Sequence, residues 1–167
     1  PGADVLTGLV PAAQRDWFVS PRASALYRVS ENTSLKSSAG RYLRVPTLLE
    51  MFGDRGFILG NGELRPELGL SGDLGLVWAP WQSLGLLDRV YLEAAAFISE
   101  PDDPIVFVNR NGLAAQAINI EGARIIGTEL VASLRVHRQV TLTTHHSFLD
   151  ARNRASGAAQ GKQLPGR

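Results

Sequence analysis

Apolar and polar residues alternate with a period of two along most of this chain. In "ELGLSGDLGLVW" (67–78), Leu68, Leu70, Leu74, Leu76 and Trp78 share one parity, and Gly69, Ser71, Asp73, Gly75 and Val77 take the other. Period two predicts a strand with one apolar and one polar face. Residues 89–98 repeat the pattern, with Val90, Leu92, Ala94, Ala96 and Ile98 against Arg89, Tyr91, Glu93, Ala95 and Phe97. Residues 124–136 set Ile126, Thr128, Leu130, Ala132, Leu134 and Val136 against Gly127, Glu129, Val131, Ser133 and Arg135. Residues 140–148 and 22–30 alternate likewise, and "TSLKSSAGRYLR" (33–44) does so weakly. The pattern predicts about six strands and almost no helix.

A single helical turn is expected inside the long connection, over Leu48–Phe52. Thr47 stands three residues before Glu50, the spacing of a capping box, and Gly53 ends the turn. The connections alternate in length. "SEN" (30–32), "APWQ" (79–82) and "HRQ" (137–139) are short, while 45–66, roughly 100–115 and 151–164 are long. In an up-and-down antiparallel sheet, alternate connections lie at the same end. One end therefore carries tight turns and the other long excursions, as in outer-membrane barrels.

Parity alone leaves two readings open. A sandwich turns its apolar face to a core and its polar face to water. A barrel in lipid turns the apolar face out and lines a lumen with the polar one. Trp78 and Trp81 flank the Pro80 turn, where an interfacial aromatic girdle sits in the membrane reading. The apolar parity carries no charge over 68–78 and 90–98, where one at mid-bilayer costs roughly 2–4 kcal/mol.

Composition changes this picture little. With 17 Lys+Arg against 16 Asp+Glu in 167 residues, the chain has no clustered basic footprint, which argues against nucleic-acid binding. Without cysteine it has neither a disulfide framework nor a thiolate metal site. The opening on Pro1 suggests a fragment of a longer protein.

The stretch "RYLRVPTLLEMFGDRGFILGNGELRPELG" resembles the signature loop of TonB-dependent outer-membrane receptors. Arg44, Pro46, Thr47, Glu50 and Phe52 match its first half, and Gly60, Asn61, Leu64, Pro66 and Glu67 its second. Gly62 departs, standing where the family usually has proline. "AINIEGARIIGTEL" is similar to a later strand of that family through Asn119, Ala123, Gly127 and Glu129. The resemblance covers roughly 21–167. It implies an all-β fold: about six strands of an antiparallel up-and-down transmembrane β-barrel, with one short helix turn near 48–52. Residues 1–167 are then a partial barrel domain with no plug domain present. Six strands cannot close, and open edges are not tolerated in lipid.

The resemblance also implies function. The chain is expected to be part of an energy-coupled uptake receptor in the outer membrane of a Gram-negative bacterium. Its partners would be outer-membrane lipid, the TonB complex acting through the missing plug, and a small scarce ligand such as a siderophore-iron complex or cobalamin. No cofactor and no resident metal are implied.

The motif residues read mainly as shapers of the loop. Pro46 fixes the exit from the strand and Thr47 caps the helical turn. Glu50 bonds back to the backbone or pairs with Arg44. Asn61 is suited to left-handed geometry between Gly60 and Gly62, Pro66 extends Arg65, and Glu67 enters the lumen side or pairs with Arg65. Ligand contact is expected at the tip "DRGFIL", through Asp54, Arg55 and Phe57, with "SEPDD" (99–103) a candidate or a plain solvated turn. Asp73, Arg89, Glu93, Glu129 and Arg135 are expected to face the lumen. Glu129 is the best candidate for a plug or cross-strand contact.

Catalysis is not expected. His145 and His146 are neighbours on a strand and point to opposite faces, so one metal does not reach both. No Gly-x-Ser-x-Gly elbow occurs. "GAAQGKQ" (157–163) is one residue short of a phosphate loop and ends on Gln163. The competing function class is a soluble β-rich cell-surface binding module.

Overall fold

The computed structural model describes residues 17–54, 56–80, 83–110, 112–137, 139–156 and 160–164. Its main element is a six-stranded sheet of order β1-β2-β4-β5-β8-β9. The strands are β1 (Arg22–Arg28), β2 (Thr33–Arg44), β4 (Glu67–Trp78), β5 (Leu87–Asp102), β8 (Ala123–Val136) and β9 (Val140–Asn153). All five pairings are antiparallel between chain neighbours within the sheet, so the topology is up-and-down.

The two faces separate cleanly. Cross-strand partners share a face, and the pairing aligns Leu35, Leu76, Ala94 and Leu130 in one row and Ala25, Ser37, Leu74, Ala96, Thr128 and Phe148 in another. Leu70, Leu74 and Leu130 on this face are 63%, 57% and 49% exposed. Among the described residues no second sheet covers them, so the arrangement is not a sandwich, which would bury these leucines. The exception is Val90, which is buried close to the register shift between Leu87 and Arg89.

Connections sort by end as the sequence suggests. Turns 29–32, 79–86 and 137–139 lie at one end, and segments 45–66 and 103–122 at the other. Residue 137 takes positive φ (46°) to make the tightest of these turns. The 79–86 connection is longer than the expected 79–82, because Leu84 and Leu87 exchange backbone bonds in a turn of their own. Trp81 lies outside the described residues, so only Trp78 of the expected girdle can be placed, at the end of β4.

Two further expectations are corrected. Ser99–Asp102 belongs to β5 and forms no turn, because β4 extends to Leu68 and supplies partners as far as Asp102. The 103–122 connection is not open loop: it contains β6 (Ile105–Arg110) and β7 (Ala114–Asn119), an antiparallel hairpin. The other long connection holds α1 (Leu48–Phe52) and β3 (Ile58–Leu59), and β3 adds to β7 in parallel. The two long connections thus form one three-stranded sheet, β3-β7-β6, at one end of the main sheet. Its small core is Leu64, Ile105 and Ala117.

Candidate functional site

The motif residues gather where the long connections meet the main sheet. Just after Pro46, Thr47 begins α1 as its N-cap in an extended conformation. Both halves of the capping box form: the Glu50 N–H donates to Thr47 Oγ1 (3.3 Å), and the Thr47 N–H donates to Glu50 Oε2 (2.8 Å). This brings the Glu50 carboxylate to Arg44, whose Nη1 and Nη2 donate to it at 3.1–3.2 Å. Of the two roles open to Glu50 in the sequence, it fills both.

Arg44 also reaches Glu67, its register partner across β2 and β4, with Nε to Oε2 at 3.3 Å. Glu67 is 1% exposed and Glu50 6%. Glu67 accepts further bonds from Tyr42 Oη (3.2 Å) and from the Ile105 N–H of the second connection (3.3 Å). Buried carboxylates persist only when paired and hydrogen-bonded, and both conditions hold here. The expected Glu67–Arg65 pair does not form. Arg65 instead pairs with Asp103 at 2.6 Å, while Arg44, the register partner of Glu67, takes the Glu67 carboxylate.

Burial pushes the Glu50 carboxyl up, but hydrogen bonds from Arg44 and Thr47, with the arginine charge, hold it below its ordinary value. Asp54 is also held low, by the backbone N–H groups of Ile58 and Gly56. Those bonds, at 2.9 and 2.8 Å, close the tip of the loop. Asp54 therefore shapes the tip as well as standing at it. Phe57 is 77% exposed beside it. Arg55 lies outside the described residues.

Two asparagines tie the connections together. Asn61 Nδ2 donates to the Ala117 carbonyl (2.9 Å), and its Oδ1 accepts from the Glu63 N–H (3.1 Å). Asn61 does not use the left-handed geometry it is suited to; near the site, positive φ falls at Asp103 (51°) and Gly53 (73°). Asn61 is held by its side chain, so its backbone has no need of that geometry. Asn119 Oδ1 accepts from the Arg65 N–H (2.9 Å), while its Nδ2 donates to the carbonyls of Arg65 (3.0 Å) and Asp103 (2.7 Å). Gly60 passes so close to α1 that a Cβ there would lie 2.6 Å from the Phe52 carbonyl carbon. Leu64 fills the small core.

Asp73, Arg89, Glu93, Glu129 and Arg135 all lie on the face opposite the leucines. Lys36 pairs with Glu93, to which Tyr91 also donates, and Ser38 donates to Asp73. Arg89 and Arg135 stand directly opposite one another. Glu129 is exposed and sits across from Ala95 and Ser147, with no cross-strand ion pair among the described residues. Gly127 lies beneath the Phe97 ring, which a Cβ would meet at 2.4 Å, and Gly69 lies beneath Tyr42. An aromatic ring laid over a cross-strand glycine is a recurrent stabilising pair in curved sheets.

Sequence reading missed the β6–β7 hairpin and hence the second anchor of the site. A signal was present: the apolar run Ile105–Val108 followed closely by Asn111-Gly112 reads as strand and turn. Gly112 has φ 77° and donates to Asn109 Oδ1 (2.8 Å). Among the described residues no group of three His, Asp or Glu side chains is placed to hold a metal.

A single up-and-down sheet, apolar on an uncovered face and charged on the other, with all long connections at one end, is a stretch of transmembrane β-barrel wall. The chain belongs to the TonB-dependent receptor family: the "TonB dependent receptor-like, beta-barrel" model matches residues 2–167. Solved structures with the same fold include the copper transporter OprC, at 22% identity and TM-score 0.67 over 87% of this chain and 22% of that one. Another is the FrpB iron transporter from Neisseria meningitidis (F3-3 variant), at 20% identity and TM-score 0.54 over 80% of this chain and 20% of that one. The chain thus spans about a fifth of each of these transporters. No curated protein matches it significantly by sequence.

Proposed function

We propose that this chain is part of the wall of an outer-membrane receptor of a Gram-negative bacterium that takes up a scarce ligand by energy-coupled transport. The observation that carries the reading is the sheet itself, with uncovered leucines on one face and charged side chains on the other. That division suits a wall between acyl chains and a water-filled bore. Residues 1–167 are one piece of a larger closed barrel, because both β1 and β9 present an open edge among the described residues, which lipid does not tolerate.

The bore is filled by a plug domain that lies outside this chain and couples to TonB, as family membership supports. Asp73, Arg89, Glu93, Glu129 and Arg135 face the bore, and exposed Glu129 is available to the plug. The ligand is a metal-bearing small molecule, a siderophore-iron complex or one like cobalamin. The similarity to a copper and an iron transporter favours that class. Asp54, Arg55 and Phe57, at the tip of the outer loop, contact the ligand.

Uptake by a bacterium carrying the whole receptor tests this. Deleting the receptor gene should abolish accumulation of one labelled metal complex from a panel, and deleting TonB should abolish the same activity. Uptake that continues without TonB overturns the energy-coupled reading. A receptor recovered in the soluble fraction overturns the membrane reading.

A further inference from the structure

The leucine-rich face carries a hollow. Where β1, β2, β4 and β5 run side by side, Ala23, Ala25, Ser37, Ala39, Gly72 and Ala96 bring only small groups to that face. The depression measures about 750 Å³. Larger side chains, Leu74, Ile98 and Ile126, stand around it. The alternating residues Ser38, Asp73 and Phe97 send their side chains to the other face, so the floor is backbone and small groups. On a membrane-facing surface such a void is filled by lipid, because empty space forfeits dispersion contacts on every wall.

Arg41 stands at the long-loop end of the hollow. It follows Ala39 by two residues on β2 and shares its face, opposite Leu70, which in turn faces Glu100. Arg41 is exposed, and its side chain makes no hydrogen bond or ion pair among the described residues. Two carboxylates on this face, Glu100 in that row and Asp150 at the far end of the Ala39 row, are engaged elsewhere. Glu100 accepts both Arg124 (2.6 Å) and Arg154 (3.2 Å), and Asp150 holds Arg152 (2.8 Å). The rim above the apolar band therefore has an excess of guanidinium groups, and Arg41 is the one next to the hollow. A guanidinium is always charged and matches phosphate oxygens in a two-point fork.

We propose that the hollow seats an acyl chain of a phosphate-bearing lipid of the outer leaflet, and that Arg41 binds its phosphate. The proposal rests on the membrane reading above, in which the long-loop end faces outward. A free phosphate ion would satisfy Arg41 but would leave the hollow empty. The two features lie together on one face, as a headgroup and its chain require.

The test uses the whole receptor extracted from outer membranes and weighed intact by native mass spectrometry with its retained lipid. The wild type should keep phosphorylated lipid. Arg41→Gln should cut the retained fraction about fivefold, the effect of one basic side chain at a charged lipid surface. Ala39→Leu, which fills the hollow, should also reduce it. Arg22→Gln removes the same charge from the bore face, where Arg22 donates to Ser38 Oγ, and should leave retention unchanged. Equal losses in Arg41→Gln and Arg22→Gln would mean generic charge attraction and overturn the site. So would a folded, membrane-embedded receptor with no retained lipid. So, too, would an Ala39→Leu variant that changes the oligomeric mass and not the lipid, which would make the hollow a contact between copies. A receptor absent from the outer membrane overturns the membrane reading along with this one.

Discussion

Arg44 is the residue on which two chain segments depend. Among the described residues its guanidinium pairs with both Glu50 and Glu67, each almost wholly buried. Removing it takes away the guanidinium charge that both carboxylates pair with, and breaking a buried pair from one side costs about 3–5 kcal/mol. The Arg44 side chain is itself 35% exposed, so solvent screening brings the expected cost of Arg44→Ala below that range, to roughly 2–3 kcal/mol. Limited proteolysis of the whole receptor should cut segment 45–66 faster in this variant, and unchanged cutting would refute the clamp. A pH dependence follows from Glu50. Its native pKa lies below its unfolded value of 4.5, so the unfolded state binds the proton more readily. The stabilisation is therefore complete above about pH 4.5 and is lost as pH falls toward the lowered native value. Protease resistance of the loop should decline in that acid window for the wild type. Glu50→Gln should be cut faster at neutral pH and show a flatter acid response.

At the scale of elements, the strands of the main sheet were legible and the outer sheet was not. Period two survives wherever one face meets lipid and the other water, so β4 and β8 could be read almost to the residue, while β2, which alternates weakly, also matched its expected range. Strand ends were less legible, because Ser99–Asp102 is polar on both parities and only its partner β4 makes it a strand. The hairpin β6–β7 had a local signal that went unread, but its place in the outer sheet had none. Its pairing with β3 is a contact between segments more than fifty residues apart, held by Asn61 and Asn119 side chains whose partners no local pattern names. The identities of the clamp residues were visible through the family motif, but the choice of Arg44 over Arg65 as partner of Glu67 needed the β2–β4 register. Asn119→Ala removes three bonds to Arg65 and Asp103. At about 1 kcal/mol for each lost bond, the Arg65–Pro66 passage should loosen by roughly 2–3 kcal/mol. Hydrogen exchange at the Arg65 amide should then accelerate by about two orders of magnitude, while amides in β8 keep their protection. Gly127→Val probes the wall in the same way. Its Cβ would enter the Phe97 ring and lie 2.8 Å from the Phe148 carbonyl, and overpacking of that kind costs about 1–3 kcal/mol.

At the scale of the whole molecule, the two faces answer to different solvents, and this yields the most exacting prediction. On β5 the apolar parity runs from Val90 to Ile98, roughly 27 Å at about 3.4 Å per residue. Tilted by about 40°, that gives a band about 20 Å tall, close to the apolar thickness such barrels present to lipid. Leu74 lies within this band and opposes Ala96, while its neighbour Asp73 faces the bore. Leu74→Arg should therefore cost about 2–4 kcal/mol when the receptor folds into vesicles. Leu74→Phe should cost little, since lipid accommodates either apolar group. Ser71, on the bore parity, gives the contrast: Ser71→Arg should fold nearly as well as the wild type, because water solvates the new charge. The measurement is the folded fraction in vesicles against denaturant for the three variants. If Leu74→Arg and Ser71→Arg fold equally well, the leucine face does not meet lipid. If Ser71→Arg alone fails, the sheet is inside out and the dry side is the one assigned here to the bore.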